Sequence, residues 1–427
     1  MLQNSPRRSS HRASWLVRRR FQLLVALILA SSLPVLARAI LAPSSLWFVG
    51  TWNAYLANIV AVVIAFWLRL SFAPYPGIRS SYVILPTAGA AHAAVLAFFF
   101  FTRLPYDRLS SLLDFIVHVS WFYVIYFLVQ RRVRLRIAVV PLGKVSRLSS
   151  IDSVSWMHLS HPNADFLKGC DAVVADFTAD MPPEWEKFLA DAALAGTIVY
   201  QVKPLLESMT GRVEIDHLSE NNFGFLVPAR GYFYFKAVLD WLFALIMLPV
   251  LSPVLALAAI AVALGDKGPV LFRQTRIGHR GHPFQVYKFR TMRLAESPSD
   301  ARAAAMTGNL DPRITRVGSF LRKSRIDELP QLFNILKNEM SWIGPRPEAD
   351  VLSQWYAVEL PFYPYRHVVK PGISGWAQVN QGHVVEVGDV HEKLHYDFYY
   401  IKYFSPWLDL LILFKTIKTM VTGFGSK

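Results

Sequence analysis

Residues 235–269 read FKAVLDWLFALIMLPVLSPVLALAAIAVALGDKGP, and how this run meets a bilayer decides where the rest of the chain lies. Positions 241–264 are nearly all apolar and long enough to cross a hydrocarbon core of about 30 Å. Pro249 and the Ser252-Pro253 step interrupt them, because a proline removes a helical hydrogen bond and clashes with the preceding turn. A kinked spanning helix would carry everything after Gly265 across the membrane, whereas a re-entrant hairpin would return it to its starting face. Each half is about 11 residues, roughly 17 Å of helix, too short to cross alone. Arg230 and Lys236 precede the run and Lys267, Arg273 and Arg276 follow it, so both flanks carry the positive charge that stays in the cytoplasm. We read 236–264 as a re-entrant helical hairpin.

Working outward, the chain of 427 residues is 53% hydrophobic with a net charge of +15, a balance that fits a membrane protein with anionic, phosphate-bearing partners. Its one cysteine, Cys170, excludes an intrachain disulfide and a thiolate metal cluster. Four apolar segments, about 21–42, 46–68, 82–102 and 111–130, each approach the ~20 residues of a spanning helix. Arg7, Arg8, Arg12 and Arg18 to Arg20 precede the first, Arg69 and Arg79 follow the second, and Arg131, Arg132, Arg134 and Arg136 follow the fourth. Both ends of this four-helix transmembrane domain, residues 1–135, are thereby placed in the cytoplasm, against the weaker opposing signal of Arg103 and Arg108. The basic amino terminus reads as a retained anchor. Asn53, Asn58, His92, Asp114 and His118 form no evident relay by their spacing, which argues against a transporter. The positive charge accompanies apolar segments and no nucleic-acid-reading motif, so no nucleic-acid partner is expected.

From 136 to 226 the pattern becomes α/β. RIAVVPL, DAVVADF and TIVYQV read as short buried strands and PPEWEKFLADAALAG as a helix. The turn PLGKVSRLSS offers a single glycine where a nucleotide site wants a glycine-rich loop, so a structural or regulatory role is expected.

The remainder, 227–427, reads as a mainly helical cytoplasmic catalytic domain entered through the hairpin. Its centre is SRIDELPQLFNILKNEM, residues 324–340, where Asp327 and Glu328 stand side by side before Pro330. Leu329, Leu332, Phe333, Leu336 and Met340 have the spacing of a core-facing helix, and Pro330 is tolerated in its first turn. The bland reading makes Asp327 an N-cap and Glu328 a dipole-matching residue. Against it stands the density of cations on turns and helix starts around the dyad: Lys288, Arg290, Arg313, Arg316, Arg322, Arg325, Arg346 and Lys370, as a site for several phosphates would require.

KFRTM (288–292), the run DPRITRVGSFLRKSRIDELPQLFNILKNEMSWIGPRPE (311–348), KPGISGWAQVNQG (370–382) and DFYYIKYFSPWLDLLIL (397–413), in this order after an apolar hairpin, resemble the bacterial sugar transferase family. The resemblance covers roughly 230–427. It implies transfer of a sugar-1-phosphate from a UDP-sugar to undecaprenyl phosphate at the inner membrane, with release of UMP, at the start of exopolysaccharide, capsule or O-antigen synthesis. By the same resemblance Asp327 is the nucleophile, and Asp327 and Glu328 hold Mg²⁺, which suits hard oxygen donors. Lys288, Arg290, Arg322 and Arg346 match basic positions and are expected on phosphates, and Asp397 matches an acidic position in the substrate site. The sugar and the oligomeric state stay open, a homo-oligomer included. One rival is formal: His391-Glu392-x-x-His395 satisfies the zinc-peptidase signature, with no third ligand identifiable.

Overall fold

The computed structural model describes residues 18–41, 48–71, 81–130, 135–214, 228–265, 268–293, 313–381 and 387–422. Arg7, Arg8, Arg12, Arg79, Arg131, Arg132, Arg134 and Lys267, used above for orientation, lie outside them, as does the expected domain junction at 226. The chain forms two compact units, Met1–Gly211 and Arg212–Lys427.

The first unit opens with α1 (Arg19–Leu41), α2 (Val49–Ser71), α3 (Ser81–Thr102) and α4 (Arg108–Ile125). All four are long and apolar enough to cross a membrane. Between lipid-facing helices there is no hydrophobic drive to associate, so close packing of small residues holds them. Ala61 and Ala65 on α2 accordingly pack against Ala91, Val95 and Phe99 on α3. His92 and Asp114 meet at 2.9 Å, with the His118 ring 5.4 Å from that of His92. The pairing follows from adjacent helices, which spacing along one chain segment does not reveal.

The unit continues with β1 (Leu135–Val139), β2 (Val154–His158), β3 (Ala172–Ala175) and β4 (Ile198–Gln201), all parallel in the order β2-β1-β3-β4. The α/β expectation holds, with one strand more than expected. VSWMH carries too weak an apolar pattern to announce itself, and its place comes from pairing with β1 along Leu135 to Val139. α5 (Pro183–Leu194) covers one face through Trp185, Phe188 and Leu189, and α6 (Val202–Thr210) covers the other through Val202 and Leu205.

The second unit begins with α7 (Arg230–Gly265), a helix that continues through both prolines. Pro253 has no N–H to offer the carbonyl of Pro249, and the Ser252 hydroxyl donates to that carbonyl instead at 2.8 Å. Near its start Lys236 pairs with Asp409 at 2.8 Å and Asp240 accepts from Ser341 Oγ at 2.5 Å. Ala244 packs with Val286, Leu332, Ile335 and Met340; Ala258 and Val262 pack with Phe289 and Leu321. Both stretches of α7 therefore dock on the same unit. β5 (Leu271–Ile277) and β6 (Pro283–Phe289) form an antiparallel hairpin, and β7 (Ser341–Ile343) runs parallel to β8 (Gly372–Ser374).

Candidate active site

The segment expected to open an α-helix does something tighter. Residues 326–331 form a 3₁₀ turn holding both Asp327 and Glu328, and only Leu332–Leu336 continues as α-helix. The core stripe shifts with it: Ile335 and Asn334 are buried while Phe333 is 41% exposed. Asn334 is the cause. Its side chain accepts from Tyr287 N at 3.1 Å and donates to Gln285 O at 2.6 Å and to Glu339 Oε2 at 2.7 Å, stapling the dyad segment to β6. Three satisfied polar contacts outweigh helical periodicity at this position.

The preceding helix, Arg316–Ser324, is capped by Thr315, whose hydroxyl accepts from Gly318 N at 2.9 Å. It lies so close to the KFRTM segment that a Cβ on Gly318 would come within 2.0 Å of Thr291 O. This contact seats Arg322, whose Nε donates to Thr291 Oγ1 at 3.1 Å. The helix stops at Arg325, in the left-handed region with φ 59°, and the chain turns at once into the dyad.

Glu328 is the electrostatic centre. Its Oε1 accepts from Lys288 Nζ at 2.9 Å and from Arg346 Nη2 at 2.6 Å, and Arg346 Nη1 lies 3.4 Å from Oε2. Burial by itself would push this carboxyl up, but Arg346 and Lys288 hold it well below the usual range. Asp327 is in the opposite situation. It is only 8% exposed, Oδ1 has no hydrogen-bond partner, and burial followed by the Glu328 charge raises its pKa. The capping reading is thereby overturned, because the 3₁₀ turn has no side-chain cap. Burial lowers Lys288 to about 8, with Arg346 and Arg276 adding to the shift against Glu328. Arg290 is buried one strand step beyond Lys288, its N–H on Val270 O at 2.9 Å.

A second buried layer lies behind Arg346. Arg366 Nη2 donates to Arg346 O at 2.9 Å and to Asp397 Oδ2 at 2.8 Å, while Nη1 donates to the Tyr363 hydroxyl at 2.8 Å. Glu348 pairs with Lys393 and Arg276 donates to Pro347 O. Asp397 thus meets a guanidinium inside the domain. Arg366, Glu348 and Asn334 were not singled out from the sequence, and Arg276 was used only as a charge flanking the apolar run. Glu348 had a signal in its adjacency to Arg346; Arg366 had none, standing 31 positions from its partner Asp397. In the peptidase-like segment, Glu392 pairs with Arg212 at 2.5 Å, and among the described residues no three His, Cys, Asp or Glu side chains are grouped to hold a metal.

The structure thus places a buried acidic dyad beside fixed cations, on a unit built around one long apolar helix. The model of the bacterial sugar transferase family matches residues 231–423. An Aeromonas hydrophila UDP-N-acetylgalactosamine-undecaprenyl-phosphate N-acetylgalactosaminephosphotransferase is 41% identical over 409 residues, 94% of each chain. The chain belongs to the bacterial sugar transferase family. It is therefore an enzyme of the transferase class, and the resemblance read from its motifs is borne out. Two UDP-glucose:undecaprenyl-phosphate glucose-1-phosphate transferases match its catalytic half. That of Escherichia coli (strain K12) is 43% identical over 194 residues, 45% of this chain and 40% of that one. That of Caulobacter vibrioides is 42% identical over 189 residues, 44% of this chain and 70% of that one. Neither the family nor these relatives support peptidase chemistry at His391 to His395.

A pH profile tests how this transferase uses its site. If Lys288 serves as a cation it must be protonated, and if Asp327 serves as a nucleophile it must be ionised. The kcat/KM of the free enzyme is expected to fall as pH rises through about 8, and also as pH drops through a carboxylate raised above its usual range. Lys288→Arg should move the alkaline limb upward by more than one pH unit, since a guanidinium stays charged. An unmoved limb would assign it to another group.

Proposed function

We propose that the protein transfers a sugar-1-phosphate from a UDP-sugar to undecaprenyl phosphate, releasing UMP and initiating a surface polysaccharide. The observation that carries the mechanism is the asymmetry of the dyad: Glu328 is bound by two cations, and Asp327 Oδ1 is buried and unpartnered. Asp327 attacks the phosphorus that bears the sugar. An O–P bond forms, the bond to the bridging oxygen breaks, and its electron pair leaves with UMP. An oxygen of the lipid phosphate then attacks the same phosphorus and displaces the carboxylate, so the aspartate is regenerated. Lys288 and Arg346 keep positive charge beside the anionic reactants, and a group held in place in a buried site stabilises developing charge without reorganising. Asp327 and Glu328 fit Mg²⁺, since Oδ1 is an orphaned hard oxygen and Mg²⁺ uses one or two carboxylates plus substrate phosphates. Bound there, the ion would offset diphosphate charge. The full-length relative makes UDP-N-acetylgalactosamine the first donor to assay, with UDP-glucose and UDP-galactose beside it.

The four amino-terminal helices span the cytoplasmic membrane in this reading, and α7 enters and leaves on one face, bending at Pro249 to Pro253. A straight helix of 36 residues would reach about 54 Å, yet both its stretches dock on the catalytic unit. Between them Val250 and Leu257 are left exposed for lipid. The parallel sheet serves a structural or regulatory role: Asp176, just after β3, already takes the N–H of Lys144 in the loop after β1 at 2.8 Å.

Two experiments decide these points. Purified protein given UDP-sugar and Mg²⁺ without lipid should release UMP and gain the mass of one sugar phosphate; UMP release that needs lipid and leaves no adduct would refute the covalent route. With Cys170 replaced, a cysteine at exposed Arg273 should resist membrane-impermeant labelling of intact cells. Labelling there would overturn the re-entrant arrangement.

A further inference from the structure

Of the cations around the dyad, Lys288 and Arg346 are spent on Glu328 and Arg322 is seated on Thr291. Arg325 is not. Its side chain is 45% exposed, and its Nη1 stands 3.9 Å from Glu328 Oε1, outside hydrogen-bond range. Among the described residues no hydrogen bond holds its guanidinium. Its backbone sits at φ 59°, ψ 14°, a conformation that glycine or asparagine adopts more easily than arginine. A residue that only had to end one helix and start the next would not need this long cationic side chain. Directly beside it is Asp327, buried, with Oδ1 unpartnered.

We propose that Arg325 is a further ligand of the donor, its guanidinium swinging from the rim of Glu328 onto the diphosphate of the UDP-sugar as it meets Asp327. The planar fork suits paired phosphate oxygens, and an exposed side chain can move without breaking a buried contact. Arg325 stays at the surface while Asp327 and Glu328, two and three positions on, are buried. Charge at this position acts on donor affinity and leaves the lipid acceptor alone.

The inference rests on the dyad being the donor site, and the test separates the two. Arg325→Gly removes the charge but suits the backbone, so its melting temperature should equal or exceed that of the wild type. Its kcat/KM for UDP-sugar should fall about 30-fold, and UDP, used as an unreactive diphosphate probe, should inhibit about 10-fold less strongly. KM for undecaprenyl phosphate should stay within about twofold of wild type, and Arg325→Lys should recover most of the loss. Wild-type kcat/KM and UDP inhibition in Arg325→Gly, with Asp327→Asn inactive, would overturn the role of Arg325 alone. An active Asp327→Asn variant would instead remove the dyad reading on which it stands.

Discussion

Asp327→Asn should fold normally and lose turnover by roughly three orders of magnitude or more, with no sugar-phosphate adduct in the donor half-reaction. The substitution keeps shape and removes the charge. An amide nitrogen and oxygen do not displace UMP, so the first bond never forms. Stability should hold or rise, for a physical reason visible at the site. The carboxylate is buried, its Oδ1 makes no hydrogen bond, and its pKa is raised by burial and by Glu328. A buried charge without partners costs more than a buried neutral group, and enzymes commonly give up stability at the site that reacts. Intact mass, multiple-turnover rates and a thermal melt provide the three readings. Turnover near that of the wild type would eliminate the nucleophile, whatever the melt shows.

Arg366→Met should be the most destabilising single change in the catalytic unit. The side chain is buried and holds Asp397, the Tyr363 hydroxyl and the carbonyl of Arg346. Removing it leaves Asp397 buried without its guanidinium partner, a loss of about 3–5 kcal/mol. At this size of protein that is a fall in melting temperature on the order of 10 °C. Activity should drop at least 100-fold in the surviving folded fraction, because Arg346 loses the donor that fixes its backbone. Adding Asp397→Asn should restore part of the stability and little of the activity. This pairing also tests what Asp397 does. If it positions Arg366, Asp397→Asn alone lowers the melting temperature and spares donor affinity; if it binds substrate, KM for the donor rises while the melt stays put.

The long apolar windows, the α/β stretch and the acidic dyad are all legible in the sequence. Each is written in contiguous residues, and a bilayer or a phosphate site selects for such local composition and spacing. Membership of the bacterial sugar transferase family followed from motifs in order along the chain. What that level of reading missed is non-local. Phe333 has helical spacing but faces outward, because Asn334 is claimed by the backbone of β6 some 47 to 49 positions away. The strand VSWMH exists through its pairing with β1, and His92 finds Asp114 only when two helices pack. The dyad itself shows the division most plainly. Sequence put Asp327 and Glu328 side by side, which makes them chemically alike. Lys288 from a strand and Arg346 from beyond β7 both close on Glu328 and neither bonds Asp327 Oδ1, and so of two carboxyls that burial alone would raise, the cations bring one well below its usual range and the other stays raised. Which of the two is held by cations and which keeps an unpartnered oxygen is a consequence of three-dimensional charge placement in a low-dielectric interior, and no spacing rule along the chain encodes it.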